Sequence, residues 1–201
     1  MKTVGKRLGV MGGTFDPIHY GHLVTAEEAL VQFGLDEVVF VPTGKPWMKE
    51  HEVVSPSEHR YLMTVIATAS NPKFSVSRME VDREGPTYTV ETLRSLSDEQ
   101  GGGTDLFFIT GADAIVEILQ WREPEELFGL ARIIAATRPG YDLAPFGPEA
   151  PTSYQGVSVM HIPALAISST DVRRRVAEGR PIRYLVPEGV KSYIEKAGLY
   201  R

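Results

Sequence analysis

An α/β fold built on a mostly parallel sheet is what this chain predicts, and three observations carry that expectation. Short apolar runs alternate with segments of helical periodicity. Such alternation implies parallel strands joined by right-handed crossovers. The 201 residues, 42% hydrophobic and 23% charged, suffice for a packed core and contain no low-complexity stretch. In order, residues 7–11 read as the first strand, and Leu23, Ala26, Leu30 and Phe33 recur at helical spacing after it. A strand at 37–41 precedes a helix marked by Tyr61, Val65 and Thr68. Residues 74–79 form the next apolar run, followed by Val90, Leu93 and Leu96 on one helical face. Strands at 106–110, 132–136 and 157–162 complete the set. Between the last two, Pro139, Gly140, Pro145, Gly147, Pro148 and Pro151 break all periodicity over 138–156. This stretch reads as a surface loop rather than a linker, because 157–162 still looks like a strand of the same sheet. The expectation is one domain over 1–201, with a C-terminal helical part from about 168. Its terminal helix, 187–200, gathers Val190, Tyr193, Ile194 and Ala197 on one face and ends near Gly198.

Charge and composition exclude several functions. With 21 Lys+Arg against 26 Asp+Glu the net charge is -5, which disfavours non-specific binding to nucleic acid or to an anionic membrane. A chain without cysteine has no disulfide framework, thiolate nucleophile or cysteine zinc site, which suits a reducing compartment. The start, MKTVGKRLGVMGG, lacks a long apolar stretch, so the expected location is the cytoplasm. The sequence leaves the oligomeric state open and admits a homo-oligomer.

The densest chemistry lies between the first strand and the first helix: Gly12, Gly13, Thr14, Phe15, Asp16, Pro17, Ile18, His19, Tyr20, Gly21, His22. Ligands of open α/β sheets bind at such strand-to-helix turns. Gly12 and Gly13 allow close backbone approach, Thr14 adds a hydroxyl, and a helix beginning near Gly21 offers amides and a positive dipole end to phosphate. Across the turn containing Gly21, His19 and His22 can converge on one anion as hydrogen-bond donors. No serine sits in a nucleophile elbow, and neither Gly-x-Gly-x-x-Gly nor a P-loop is present.

This loop resembles the HxGH motif of the nucleotidyltransferase superfamily. The resemblance implies a Rossmann-like, doubly wound sheet with helices on both faces, and transfer of a nucleotidyl group from a nucleoside triphosphate. Ile167, Ser168, Ser169, Thr170, Asp171, Val172 and Arg173 are similar to the superfamily's second signature, ISSTxxR, which contacts the triphosphate. On physical grounds that run is a helix start, with Ser168 or Ser169 as the cap and cations one turn on. Arg174 and Arg175 read as a solvated face, and Arg173 as the phosphate contact.

The middle of the chain narrows the resemblance. Residues 80–93, containing Thr87, Tyr88, Thr89 and then Thr92-Leu93, resemble the (S/T)YTxxTL segment of bacterial nicotinate-nucleotide adenylyltransferases. Gly111-Ala112-Asp113 and Trp121 are similar to that family's GxD and tryptophan positions. Carried over, the resemblance implies that Thr87, Tyr88, Thr89, Trp121 and the backbone at Arg122 hold nicotinate mononucleotide, and that Asp113 lies near a ribose. It likewise implies that Gly12, Gly13, Thr14, Phe15, Gly21, Gly111, Asp113, Ile167, Ser168 and Ser169 bind ATP. Taken singly, Thr87 and Thr89 could equally be a strand-to-helix cap, Trp121 a core anchor and Asp113 a turn residue. Where many members carry Pro-Pro-His-Lys, this chain reads Pro46-Trp47-Met48-Lys49, which keeps the cation and resembles the actinobacterial form. Arg60 and Met63 fit the family pattern too, and fit a solvated arginine and a core methionine equally well. The implied reaction joins nicotinate mononucleotide to the AMP part of ATP and releases pyrophosphate. His19, His22, Lys49 and Arg173 would act as its catalytic groups, with Mg²⁺ carried on phosphate and water. No carboxylate cluster looks like a metal cage, so protein ligands for the metal stay unknown.

Overall fold

The computed structural model describes residues 5–46, 54–101, 103–116, 118, 121–137, 156–163 and 165–201. Its elements are β1 (Lys6–Gly13), α1 (Tyr20–Gln32), β2 (Glu37–Pro42), β3 (Lys45–Pro46), α2 (Ser57–Thr68), β4 (Phe74–Val76), β5 (Pro86–Thr87), α3 (Thr89–Gln100), β6 (Thr104–Gly111), α4 (Ala112–Val116), α5 (Pro124–Leu130), β7 (Arg132–Thr137), β8 (Val157–His161), α6 (Ser169–Ala177) and α7 (Glu188–Ala197). Six strands form one sheet in the order β4-β2-β1-β6-β7-β8, and β3 pairs with β5 in a separate two-stranded ladder. Parallel registers run Lys6↔Thr104 to Val10↔Phe108, Phe107↔Arg132 to Gly111↔Ala136, and Ile133↔Val157 to Thr137↔His161. This is the doubly wound, mostly parallel α/β arrangement expected. Strand order reverses between β1 and β6, and the crevice beyond the carboxyl ends of such a strand pair is where ligands of this fold class bind. Gly13 ends one of these strands and Gly111 the other.

The strands form because parallel strands are covered on both faces and so read as continuous apolar runs. In β2, Val38, Phe40 and Val41 are fully buried, as are Ile133, Ile134 and Ala135 in β7. Each such Val, Ile or Phe contributes roughly 1.5–3 kcal/mol. The strand expected at 74–79 stops at Val76; past it the Ser77 amide still donates to the Phe40 carbonyl, and Arg78 turns out to pair with Glu58 and Asp82. The irregular stretch 138–156 lies, apart from Gly156, outside the described residues.

The chain resolves into two compact units. One comprises Met1–Gly12, Thr25–Val39 and Tyr88–Ala164, and the other Gly13–Val24, Phe40–Thr87 and Leu165–Arg201. In the first unit α3 packs on α5 and β6, with Leu93, Leu96 and Leu127 buried. In the second α2 packs on β4 and α7, burying Met63, Ala67, Val190 and Ile194. Gly198, at φ 64, ends α7 as the expected C-cap, and the Leu199 amide reaches back to the Ile194 carbonyl at 3.1 Å. Among the described residues no helix is long and apolar enough to cross a membrane.

Candidate active site

The second unit holds both histidines of the first motif. The His19 and His22 rings stack with centroids 3.7 Å apart and planes inclined by 22°. Phe15 meets His22 edge-on at 5.1 Å and 89°. The His19 main-chain amide donates to His22 Nδ1 at 3.2 Å. With Nδ1 committed as an acceptor, the neutral His22 ring carries its proton on Nε2, which is therefore a donor. The ring keeps some exposed surface. Even so, loss of water around it, and secondarily the neighbouring His19, hold its pKa well below the ordinary imidazole value. His22 is thus neutral at pH 7.

The glycines serve this stack. A Cβ on Gly13 would lie 2.9–3.3 Å from atoms of the Phe15 ring, and one on Gly21 would lie 2.9 Å from His19 Nδ1 and 3.8 Å from the Ile167 carbonyl oxygen. On the side where a Gly13 Cβ would point lies the chain's own Phe15, which is buried at φ 49. The start of α1 also differs from expectation. Tyr20 N–H donates to Leu185 O, and His22 N–H and Leu23 N–H donate to His19 O. The orphan amides of Tyr20 and His22 are therefore spent within the protein, as is that of His19 on His22 Nδ1.

At α6, Ser168 is the cap, its hydroxyl accepting from Asp171 N–H at 3.1 Å, while Ser169 donates its hydroxyl to the Pro17 carbonyl at 2.8 Å. The amides of Ser169 and Thr170 precede the helical ladder, as helix N-termini dictate. Asp171 binds Arg174 and Arg175, at i,i+3 and i,i+4. Arg173, half-buried, instead donates Nη1 to the main-chain carbonyl of Asp16 at 2.8 Å. Of the three arginines it alone reaches the His19 loop, and the structure so brings Thr14, Phe15, His19, Gly21, His22, Ile167, Ser169 and Arg173 into one unit.

Arg60 is the residue that sequence reasoning placed least well. It is 1% exposed, and donates Nε to Ser55 O at 2.9 Å, Nη1 to Thr14 O at 2.8 Å and Nη2 to Gly44 O at 2.8 Å. It is an internal strut of the loop, not a solvated cation; its partners are carbonyls distant in sequence, which leave no motif. Met63 is core, as one of its two readings held.

In the first unit Trp121 meets Phe108 edge-on at 6.0 Å, and a Cβ on Gly12 would touch the same Phe108 ring at 3.4 Å. Tyr88 caps α3 and Thr89 opens it. Arg122 lies with its guanidinium 4.7 Å over the Tyr88 ring and pairs with Glu91 at 2.9 Å, on the surface. Thr87, in the second unit, is 3% exposed, and its Oγ1, like Trp121 Nε1, is buried with no hydrogen-bond partner among the described residues. Buried donors in this state are rare and call for an explanation, such as a ligand. Asp113 lies in α4. Its side chain, and Trp47, Met48 and Lys49, lie outside the described residues. Among the described residues no group of three His, Cys, Asp or Glu side chains could hold a metal ion.

Comparison with known proteins identifies the family. A family model described as cytidylyltransferase-like matches residues 10–175. A probable nicotinate-nucleotide adenylyltransferase of Leifsonia xyli is 62% identical over 97% of this chain and 94% of its own length. One of Streptomyces coelicolor is 62% identical over 95% and 99%. Among solved structures, Plasmodium falciparum nicotinic acid mononucleotide adenylyltransferase, complexed with NaAD, superposes with a TM-score of 0.80 at 22% identity, over 97% of each chain, which supports the fold. The chain belongs to the cytidylyltransferase-like family and, within it, to the nicotinate-nucleotide adenylyltransferases.

Proposed function

We propose that this enzyme transfers the adenylyl group of ATP to nicotinate mononucleotide, giving nicotinate adenine dinucleotide and pyrophosphate in NAD biosynthesis, and that 1–201 act as one nucleotidyltransferase domain. The observation that carries the reading is the stacked histidine pair, with the neutral His22 Nε2–H as a preset donor on the loop whose Asp16 carbonyl Arg173 holds. The phosphate of the mononucleotide is itself the nucleophile: its oxygen forms a bond to the α-phosphorus of ATP as the bond to the bridging oxygen of pyrophosphate breaks. No protein nucleophile is required, and catalysis reduces to positioning and charge stabilisation. His22, His19, Thr14 and Arg173 supply donors to the phosphate oxygens in this reading, with Lys49 as a further cation. Gly12, Gly13, Phe15 and Gly21 shape the loop, Ser168 and Ser169 start α6 beside Ile167, and Gly111 and Asp113 serve the ATP ribose.

For the acceptor, the first-turn amides of α3 at Thr89, the hydroxyls of Thr87 and Thr89, and the backbone at Arg122 present donors to the nicotinate carboxylate, with Tyr88 and Trp121 as aromatic walls. The Arg122 guanidinium is engaged by Glu91, so discrimination rests on donors rather than on that charge. Nucleotidyl transfer from a triphosphate uses a divalent cation, for which we propose Mg²⁺. In this reading the ion arrives with ATP, carried on phosphate and water. The cysteine-free composition suits the cytoplasm as the place of action.

Pyrophosphate release with ATP and either mononucleotide tests the reading. We expect kcat/KM for the acid at least about 10²-fold above that for the amide, because a donor-only pocket leaves a buried donor unpaired against a carboxamide. Equal values would overturn the acid-specific pocket, and no release with either would overturn the function.

A further inference from the structure

Beyond α7 the chain makes one more turn with a defined destination. Tyr200 sits at φ 64, a left-handed conformation that a residue with a side chain keeps only where its surroundings hold it. Its hydroxyl donates to Asp16 Oδ1 at 2.6 Å, within the range of a charge-assisted bond. Asp16 is 3% exposed, and its other carboxylate oxygen accepts from Ser55 N–H at 3.0 Å. The main-chain carbonyl of the same Asp16 accepts from Arg173 Nη1. One buried aspartate thus joins the C-terminal tyrosine, the residue leading into α2 and the arginine of α6.

The arrangement poses a competition. A buried carboxylate must satisfy its lone pairs with donors, and a cation is the strongest available. Two guanidinium groups lie close. Arg60 has its donors on three carbonyls. Arg173 holds the Asp16 carbonyl with one nitrogen and the Thr170 hydroxyl, at 3.4 Å, with the other, so it has less to lose by turning to the carboxylate. We propose that Tyr200 is a positioning residue for adenylyl transfer: by occupying Asp16 Oδ1 it keeps the carboxylate off Arg173, which is then held through a neutral carbonyl and keeps its charge for the triphosphate. This rests on the role given to Arg173 above. Burial, reinforced by the bond to Asp16, raises the phenol pKa above its ordinary value, so Tyr200 stays a donor throughout the working pH range.

Tyr200→Phe removes only the hydroxyl. The expected result is a fall of about tenfold in kcat/KM for ATP and in affinity for a non-hydrolysable ATP analogue, with KM for the mononucleotide unchanged. The thermal midpoint should move by no more than about 3 °C. In an Asp16→Asn background, where no carboxylate competes for Arg173, Tyr200→Phe should cost little; a purely structural role would instead show as a lowered thermal midpoint with ATP and mononucleotide kinetics weakened alike. If Tyr200→Phe alone does not fold, D16N/Y200F against D16N carries the comparison. Analogue affinity and kcat/KM within about twofold of the parent, or losses that simply multiply in the double variant, would overturn the proposal. Absence of turnover in the parent chain would instead strike the function proposed above, and analogue affinity would still decide the role of Tyr200.

Discussion

Replacing Arg60 by Met tests whether the loop carrying the histidines is held from beneath. The methionine fills most of the aliphatic volume but removes the donors to Ser55 O, Thr14 O and Gly44 O. Hydrogen bonds from a charged group are worth about 1.5–3 kcal/mol each, so three amount to roughly 4.5–9 kcal/mol gross. Against this stands the relief of no longer burying a guanidinium, a penalty of several kcal/mol per ion. That penalty is visible in the arginine itself, whose pKa burial lowers, while Asp16, Tyr200 and Glu80 oppose the shift. The net expectation is a destabilisation of about 2–4 kcal/mol, which for a chain of this size is a fall in thermal midpoint of roughly 5–15 °C. ATP kinetics should weaken as well, since Thr14 and Gly44 lose a common tether. Thermal unfolding by circular dichroism and steady-state ATP kinetics measure the two effects. Arg60→Lys, keeping charge but not the three-pronged geometry, should fall between. A methionine variant that melts within about 2 °C of the parent and uses ATP equally well would refute the strut.

Two further expectations concern His22. If its Nε2–H acts on the reacting phosphate, His22→Ala should lower kcat by about 10²–10³ with ATP affinity nearly unchanged, and a kcat within a few-fold of the parent removes it from that role. Its depressed pKa predicts that the ring resonance followed by NMR titrates well below 6.5, with none of its titration near that value. The sign for stability follows: below about pH 6.5 the unfolded chain takes up a proton that folded His22 refuses, so this contribution is intact above that pH and declines as pH falls. An ordinary imidazole midpoint for His22 would contradict the burial argument.

The strands and long helices were legible because each is either a continuous apolar run or a sustained helical stripe. α5 left no such trace: seven residues with Leu127 buried show no period, and Glu123 before it turns at φ 51. β3 and β5, of two residues each, are too short for any pattern. The histidine loop and the capped start of α6 were legible because their chemistry is local, concentrated within a dozen residues. Arg60, Asp16 and Tyr200 were not: each acts through a partner far away in sequence, a carbonyl, an amide or a carboxylate, and such pairs come together only in the fold.

Gly13, Phe15, His22, His19 and Gly21 form a row of three rings closed at either end by a residue without a side chain. A row with closed ends has no slack. A methyl group at position 13 presses on Phe15, which presses on His22, and one at position 21 presses on His19 from the opposite side. The five positions therefore behave as one packed unit, in which a change at one must be taken up by the others. A side chain added at either end is therefore felt at the histidines themselves.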